Sequence, residues 1–140
     1  MTDCAKGRIM ALDVGARRIG LAVSDPLGIT AQALPTFNRG TDLATDSKGL
    51  KSIIEEMEVR LLVVGLPYNM NGSLGEQALK IQEFADKLSL YTELECRYID
   101  ERLTTAAADS LMKMDGQNRK KRSQNADMIA AQLILQSFLH

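Results

Sequence analysis

The side chains in this sequence that could do chemistry are acids. Its one histidine is the last residue, His140, and its two cysteines, Cys4 and Cys96, stand in unrelated contexts with no partner at metal-ligand spacing. A histidine general base, a Ser/His or Cys/His pair and a structural zinc site are therefore disfavoured. Two free thiols fit a reducing compartment. Carboxylates must carry any acid–base or metal chemistry. Asp13 ends the apolar run from Ile9 to Leu12, where a strand core would want Val or Ile, and Gly15 follows two residues on. Asp100 and Glu101 end the last apolar strand pattern. Asp127 shares a helical face with Ala130, Ala131, Ile134 and Phe138, which should pack on a sheet. Each acid has a plain reading: turn chemistry for Asp13, a solvated strand end for Asp100 or Glu101, and a first-turn acid favouring the helix dipole for Asp127. Together they read differently. An acid on a core-facing stripe is costly without a cation, and three carboxylates at one point repel unless they share one. Oxygen ligands without Cys or His select Mg²⁺ or Mn²⁺. Such ions bridge phosphate oxygens and activate water for in-line displacement.

The elements that would position these acids follow from the periodicities. Arg8–Val14 and Arg18–Ser24 read as two apolar strands of a hairpin. Asp25-Pro26-Leu27-Gly28 is a turn signal. Ile29–Phe37 supplies a third strand, and Pro35 suggests an edge. From Asp42 to Met57 the period becomes helical, with Leu43, Leu50, Ile53, Ile54 and Met57 on one face and Gly49 weakening the pattern. Arg60–Gly65 reads as a strand buried on both faces, as in a parallel sheet. Gly65-Leu66-Pro67 and Asn69, Asn71 and Gly72 read as a polar loop. Ser73 and Glu76 have the spacing of a capping box, opening a helix that carries Leu74, Ala78, Ile81, Ala85 and Leu88. Glu93–Asp100 is a strand, residues 104–114 a short helix, residues 115–124 a polar basic loop, and Asn125–Leu139 the last helix. The order β-β-β-α-β-α-β-α-α implies a mixed five-stranded α/β sheet, an antiparallel meander followed by parallel β-α-β units, with helices on both faces. Open sheets of this kind place their sites at the carboxyl ends of the strands. That is where Asp13 and Asp100 or Glu101 fall, with Asp127 reaching across from the last helix.

A chain of 140 residues with 45% apolar and 25% charged residues is expected to be one domain over 1–140, with residues 1–7 a frayed tail. The net charge of −1 gives no nucleic-acid signal, so local distribution must carry it. Arg119-Lys120-Lys121-Arg122 places four cations just before Asp127. Such a run is usually solvated surface, but here it would draw a phosphate backbone toward acids that repel it. Arg17, Arg18 and Arg102 could act likewise. The few aromatic residues offer no stacking platform for single strands. No signal peptide and no apolar run long enough for a bilayer is visible, which makes cytoplasm the expectation, with no membrane partner.

Four stretches carry a resemblance. Ala11-Leu12-Asp13-Val14-Gly15 with Arg18 through Gly28, then Val63 through Gly72, then Asp100-Glu101-Arg102-Leu103-Thr104-Thr105, then Asp127 through Gln136 resemble the YqgF/RuvX family over nearly the whole chain. The resemblance implies a ribonuclease H-like fold. It also implies Asp13, Glu101 and Asp127 as metal-binding acids, and an activity described as Holliday junction resolution or, in bacteria, maturation of the 5′ end of pre-16S ribosomal RNA. In the wider ribonuclease H superfamily the second acid usually ends the strand after the first crossover. Here that strand ends Val64-Gly65-Leu66-Pro67, so the role must pass one strand further out, roughly 4.8 Å. Successive strand residues face opposite sides, so one of Asp100 and Glu101 should enter the site, and the longer Glu101 reaches better. The expected function is a Mg²⁺- or Mn²⁺-dependent endonuclease acting on precursor ribosomal RNA or branched DNA, as a monomer or, for symmetric junction cleavage, a homodimer. Two other classes compete: a non-catalytic nucleic-acid-binding module, and a sugar-kinase or actin-like ATPase, which normally needs a second domain and a second Asp-x-Gly turn.

Overall fold

In the computed structural model the described residues are 7–69, 71–100 and 119–139, with side chains described outside 119–128. Five strands form one sheet: β1 (Arg8–Val14), β2 (Arg18–Ser24), β3 (Ala31–Asn38), β4 (Val59–Leu66) and β5 (Cys96–Asp100), in the order β3-β2-β1-β4-β5. β2 runs antiparallel to both β1 and β3, while β4 runs parallel to β1 and β5. The expected mixed sheet, meander first, is what the chain forms. Among the described residues three helices pack on it: α1 (Leu43–Glu56), α2 (Glu76–Thr92) and α3 (Arg119–Leu139). The short helix expected over 104–114 lies outside the described residues, as do residues 1–6 of the expected tail.

Alternation along the central strands sorts the core into two layers. Met10, Leu12, Ile19, Leu21, Val23, Leu62, Val64 and Leu66 face α1 and α2, joining Leu50, Ile54, Ala78, Phe84 and Leu88. Ile9, Ala11, Ala22, Leu61 and Val63 face α3, joining Ala131, Ile134 and Leu135. A strand apolar on both faces is the signature of a covered central strand, and β1, β2 and β4 all show it.

Several local expectations need correction. The proposed capping box does not form: α2 begins at Glu76 with Gly75 as N-cap and no side-chain cap. Ser73 is engaged in its own loop. Its backbone N–H (3.0 Å) and hydroxyl (2.6 Å) both donate to Asn71 Oδ1, and its hydroxyl accepts from Asn69 Nδ2. Gly65 and Leu66 belong to β4, not to the following loop. The residues 93–95 precede β5: Glu93 leaves α2 in the left-handed region, φ 61°. Most consequentially, Arg119-Lys120-Lys121-Arg122 opens α3 instead of lying in a loop, and Asp127 stands eight residues beyond Arg119. The first-turn dipole reading of Asp127 therefore fails. Pro35 does mark an edge. Ile19 pairs with Phe37 but Leu21 with Leu34, so Pro35 and Thr36 together oppose Gly20 in a bulge, where a residue without an N–H is tolerated.

The helix glycine has a packing reason. A Cβ on Gly49 would stand 2.9 Å from Phe37 Cε1, so α1 approaches β3 only because that position is bare. Asp42 caps α1, accepting from the Thr45 backbone N–H at 2.7 Å.

Candidate active site at the carboxyl edge of the sheet

Asp13 sits near the end of β1 and is half-buried. Ile9 and Ala11 face α3, so two-residue alternation sets Asp13 on that face as well. Its cross-strand partner on β2 is Gly20. On the other side the register runs Leu12 to Val64, which brings Gly65 of β4 beside Asp13. Both neighbours lack side chains, and both positions share Asp13's face. At the same level, β5 contributes Ile99, paired to Gly65. The carboxylate thus stands on a bare strip of sheet, with the β2–β3 bulge at one end. This strip of glycines was not recognised in the sequence. Gly20 read as a break in an apolar run and Gly65 as a strand end, and only the register shows that they flank one acid.

The other expected acids divide. Cys96 and Tyr98 of β5 pack toward α1 and α2, and Ile99 toward α3. Asp100 pairs with Leu66, a residue of the α1/α2 layer, so its position is on the face opposite Asp13. Glu101 and Arg102 lie outside the described residues. Asp127 lies in α3, one turn before the buried Ala131. Among the described residues no group of three His, Cys, Asp or Glu side chains is gathered to hold a metal.

The direction of α3 is fixed by its last turns. Gln132 Nε2 donates to the Ala31 carbonyl at 3.0 Å, and Leu139 packs at the Gly28 turn. Both contacts are at the edge where β1 and β4 begin. α3 therefore descends antiparallel to β1, and its earlier turns lie toward the edge that holds Asp13.

The turn after Asp13 is held from several sides. The Gly15 N–H donates to the Arg18 carbonyl at 2.9 Å, and a Cβ on Gly15 would meet that oxygen at 2.7 Å. Arg39 Nη1 donates to the Gly15 carbonyl at 2.8 Å. Arg39 in turn lies 4.8 Å over the Phe84 ring and donates through Nε to the buried Asp46 at 3.2 Å, while the Gly40 N–H donates to the other Asp46 oxygen at 2.7 Å. Arg17 and Arg18 are exposed on this turn. The Arg39–Asp46 clamp was missed in the sequence. A signal was present: Asp46 falls four and eight residues before Leu50 and Ile54, an acid on a core-facing stripe.

Ser24 and Asp25, at the end of the first motif, hold local structure. The Ser24 hydroxyl accepts the Ile9 N–H at 2.9 Å and donates to the Asp25 carbonyl. Asp25 closes its turn by accepting from the backbone N–H groups of Ile29 and Thr30. Those bonds, that from Thr30 foremost, hold its carboxyl below the usual range. All of this is at the opposite edge from Asp13. Cys96 is also there, and burial pushes its thiol up to about 11.

Comparison with known proteins accords with this geometry. The sequence model of the RuvX family, described as Holliday junction resolvase, matches residues 7–140. A relative from Moorella thermoacetica, named "Putative pre-16S rRNA nuclease", is 48% identical over 132 residues, covering 94% of each chain. One from Synechococcus elongatus with the same name is 47% identical over 130 residues, covering 93% of this chain and 87% of its own. Among solved structures, the RuvC of Thermus thermophilus in complex with Holliday junction substrate aligns with a TM-score of 0.53 at 13% identity over 91% of each chain. That likeness is one of fold, and it makes the sheet described above ribonuclease H-like. With most of its length matched by the family and nearly half its residues shared with such relatives, the chain belongs to the RuvX family.

Proposed function

We propose that this protein is a divalent-metal-dependent endonuclease that hydrolyses phosphodiester bonds in precursor ribosomal RNA, acting in the cytoplasm. The observation that carries the reading is the placement of Asp13: a half-buried carboxylate on the α3 face, at the carboxyl edge of the sheet, between two glycines. Glycine at both flanking positions means that no side chain of β2 or β4 stands beside Asp13 at its own level of the sheet. The names of the RuvX-family relatives supply the substrate.

Asp13, Glu101 and Asp127 are the residues we propose to hold the metal, Mg²⁺ or Mn²⁺. The face pattern of β5 favours Glu101 over Asp100, since odd-numbered positions of that strand are the ones sharing Asp13's side. Asp127 is favoured by the course of α3. Gln132 is tied to Ala31, which pairs with Ser24, whose hydroxyl meets Ile9. From the level of Ile9, β1 climbs roughly 13 Å to Asp13 and α3 climbs about 7.5 Å from 132 to 127. The remaining gap of about 6 Å is one that two carboxylate side chains and a shared ion can span. An ion held there would make hydroxide available at neutral pH and offset charge on the leaving oxygen. This chain's own part is to fix Asp13 on a central strand and Asp127 on the helix packed across it, and to guide the backbone with Arg17, Arg18 and Arg102 and the cations at the start of α3.

Junction DNA is the second reading, favoured by the description of the family. Symmetric cleavage of a four-way junction would need two such sites and hence a dimer, whereas RNA end maturation is open to a monomer. The deciding assay incubates wild type and Asp13→Asn with precursor ribosomal RNA and with a four-way DNA junction, with and without Mn²⁺. The expected result is metal-dependent RNA cleavage by wild type, reduced at least about a hundredfold by Asp13→Asn. Metal-dependent cleavage of the junction alone would install the DNA reading. Undiminished cleavage by Asp13→Asn would remove Asp13 from the chemistry.

A further inference from the structure

A cleft of about 610 Å³ opens at the same edge of the sheet as Asp13 but on the opposite face. Its floor is Val14, Ile81 and Phe84, and its rim carries Arg39, Gln77 and Lys80. A second recess adjoins it, sharing Ala16 and Arg39 and adding Arg17 and Arg18. The two are joined by the turn that follows Asp13. Val14, the residue after Asp13, lines the cleft because successive residues of a strand face opposite sides. A strand passing over the Arg17–Arg18 turn would lead from one face to the other.

We propose that this cleft receives an unpaired nucleobase of the substrate strand, led over the Arg17–Arg18 turn from the face that holds Asp13. Charge and shape both favour that occupant. The apolar floor suits the face of a base, and Arg39, backed by Phe84 at 4.8 Å, presents a guanidinium plane of the kind on which bases stack. Asp46 neutralises Arg39 from beneath without occupying the cleft, so the guanidinium is fixed in place. The Gln77 amide can read a base edge. Lys80, paired with Glu76 at 3.8 Å, lies on the rim, and Arg17 and Arg18 line the adjoining recess with positive charge. The volume is within the usual range for a pocket that holds one small ligand. The inference rests on reading the Asp13 edge as the nuclease site. It then specifies the substrate: a duplex with a short single-stranded extension, not a blunt helix.

The test compares the full chain with Lys80→Glu, an exposed position on α2 whose substitution leaves the core untouched. Binding is measured by fluorescence anisotropy, without cleavage, for a blunt RNA duplex and for one with a short extension bearing a photo-activatable uridine. A DNA pair of the same design is run alongside. Wild type should bind the extended duplex about fivefold or more tightly than the blunt one, the size expected for one stacked base. Lys80→Glu should lose that preference, and the photo-cross-link should map between Gln77 and Phe84. Equal affinity for both duplexes, a preference retained by Lys80→Glu, or cross-links confined to other segments would each overturn the proposal. An RNA or a DNA preference tells which strand is taken. Asp13→Asn separates the two readings: it should keep the extension preference while losing cleavage. Should it go on cleaving, the nuclease-site reading fails whatever the cleft binds.

Discussion

Single atoms decide several features of this molecule. Alanine in place of Gly49 would gain about 1 kcal/mol of helix propensity. It would also press a methyl into Phe37, 2.9 Å away, and overpacking of that kind costs about 1–3 kcal/mol. Gly49→Ala should therefore lower stability by about 1 kcal/mol in a denaturant titration, against the sign that propensity alone gives. Asp42 offers a pH test. The Thr45 backbone N–H, then its hydroxyl, hold the Asp42 carboxyl below the ordinary 3.8. A depressed folded value means the cap stabilises at and above the unfolded value and is lost as pH falls through the folded one. Asp42→Ala should melt below wild type at neutral pH, with the gap closing in that acidic window. The acids proposed to hold the metal stood out at this scale because each broke or ended an apolar pattern. Asp46 broke one too and was overlooked, because its partner Arg39 sits in a loop and no spacing announces it.

Elements were readable where one face is uniformly apolar. β1 and β2 have the bounds that their apolar runs gave them, and α1 starts one residue after Asp42, where the helical period is expected to begin. The errors fall where local side-chain bonds compete with helix or strand. Ser73 spends its hydroxyl on Asn71, so α2 starts later than its capping motif suggests. The cations at 119–122 read as a loop by composition, yet they are strong helix formers and continue α3 toward its N-terminus. Between β3 and α1 the chain is held by the Arg39–Asp46 ion pair, whose Arg39 also grips the Gly15 carbonyl of the β1–β2 turn. Removing Asp46 would leave Arg39 and the Gly40 N–H without their acceptor. Because Arg39 is part-exposed, the loss is expected at about 2 kcal/mol, below the usual range for a fully buried pair. Chemical denaturation of Asp46→Ala measures it. A loss under about 0.5 kcal/mol would show that the clamp is not what holds the turn.

For the molecule as a whole, net charge says nothing and placement says much. The sheet order could be read from the sequence; the register could not, and it is the register that puts Gly20 and Gly65 on either side of Asp13. If phosphates are gripped at the Arg17–Arg18 turn, affinity for a duplex should fall with salt, and Arg17→Ala should flatten the slope of log K against log salt by about 0.9. If the carboxylates share a cation, Mg²⁺ should stabilise the fold by mass action, about 2.7 kcal/mol at a hundredfold excess over Kd, and Asp13→Asn should abolish that gain in a thermal melt. The most direct measurement is anomalous diffraction from crystals grown with Mn²⁺. The account predicts a peak within bonding distance of carboxylate oxygens of Asp13, Glu101 and Asp127. A peak bound elsewhere, or full Mn²⁺ in solution with none at Asp13, would contradict it.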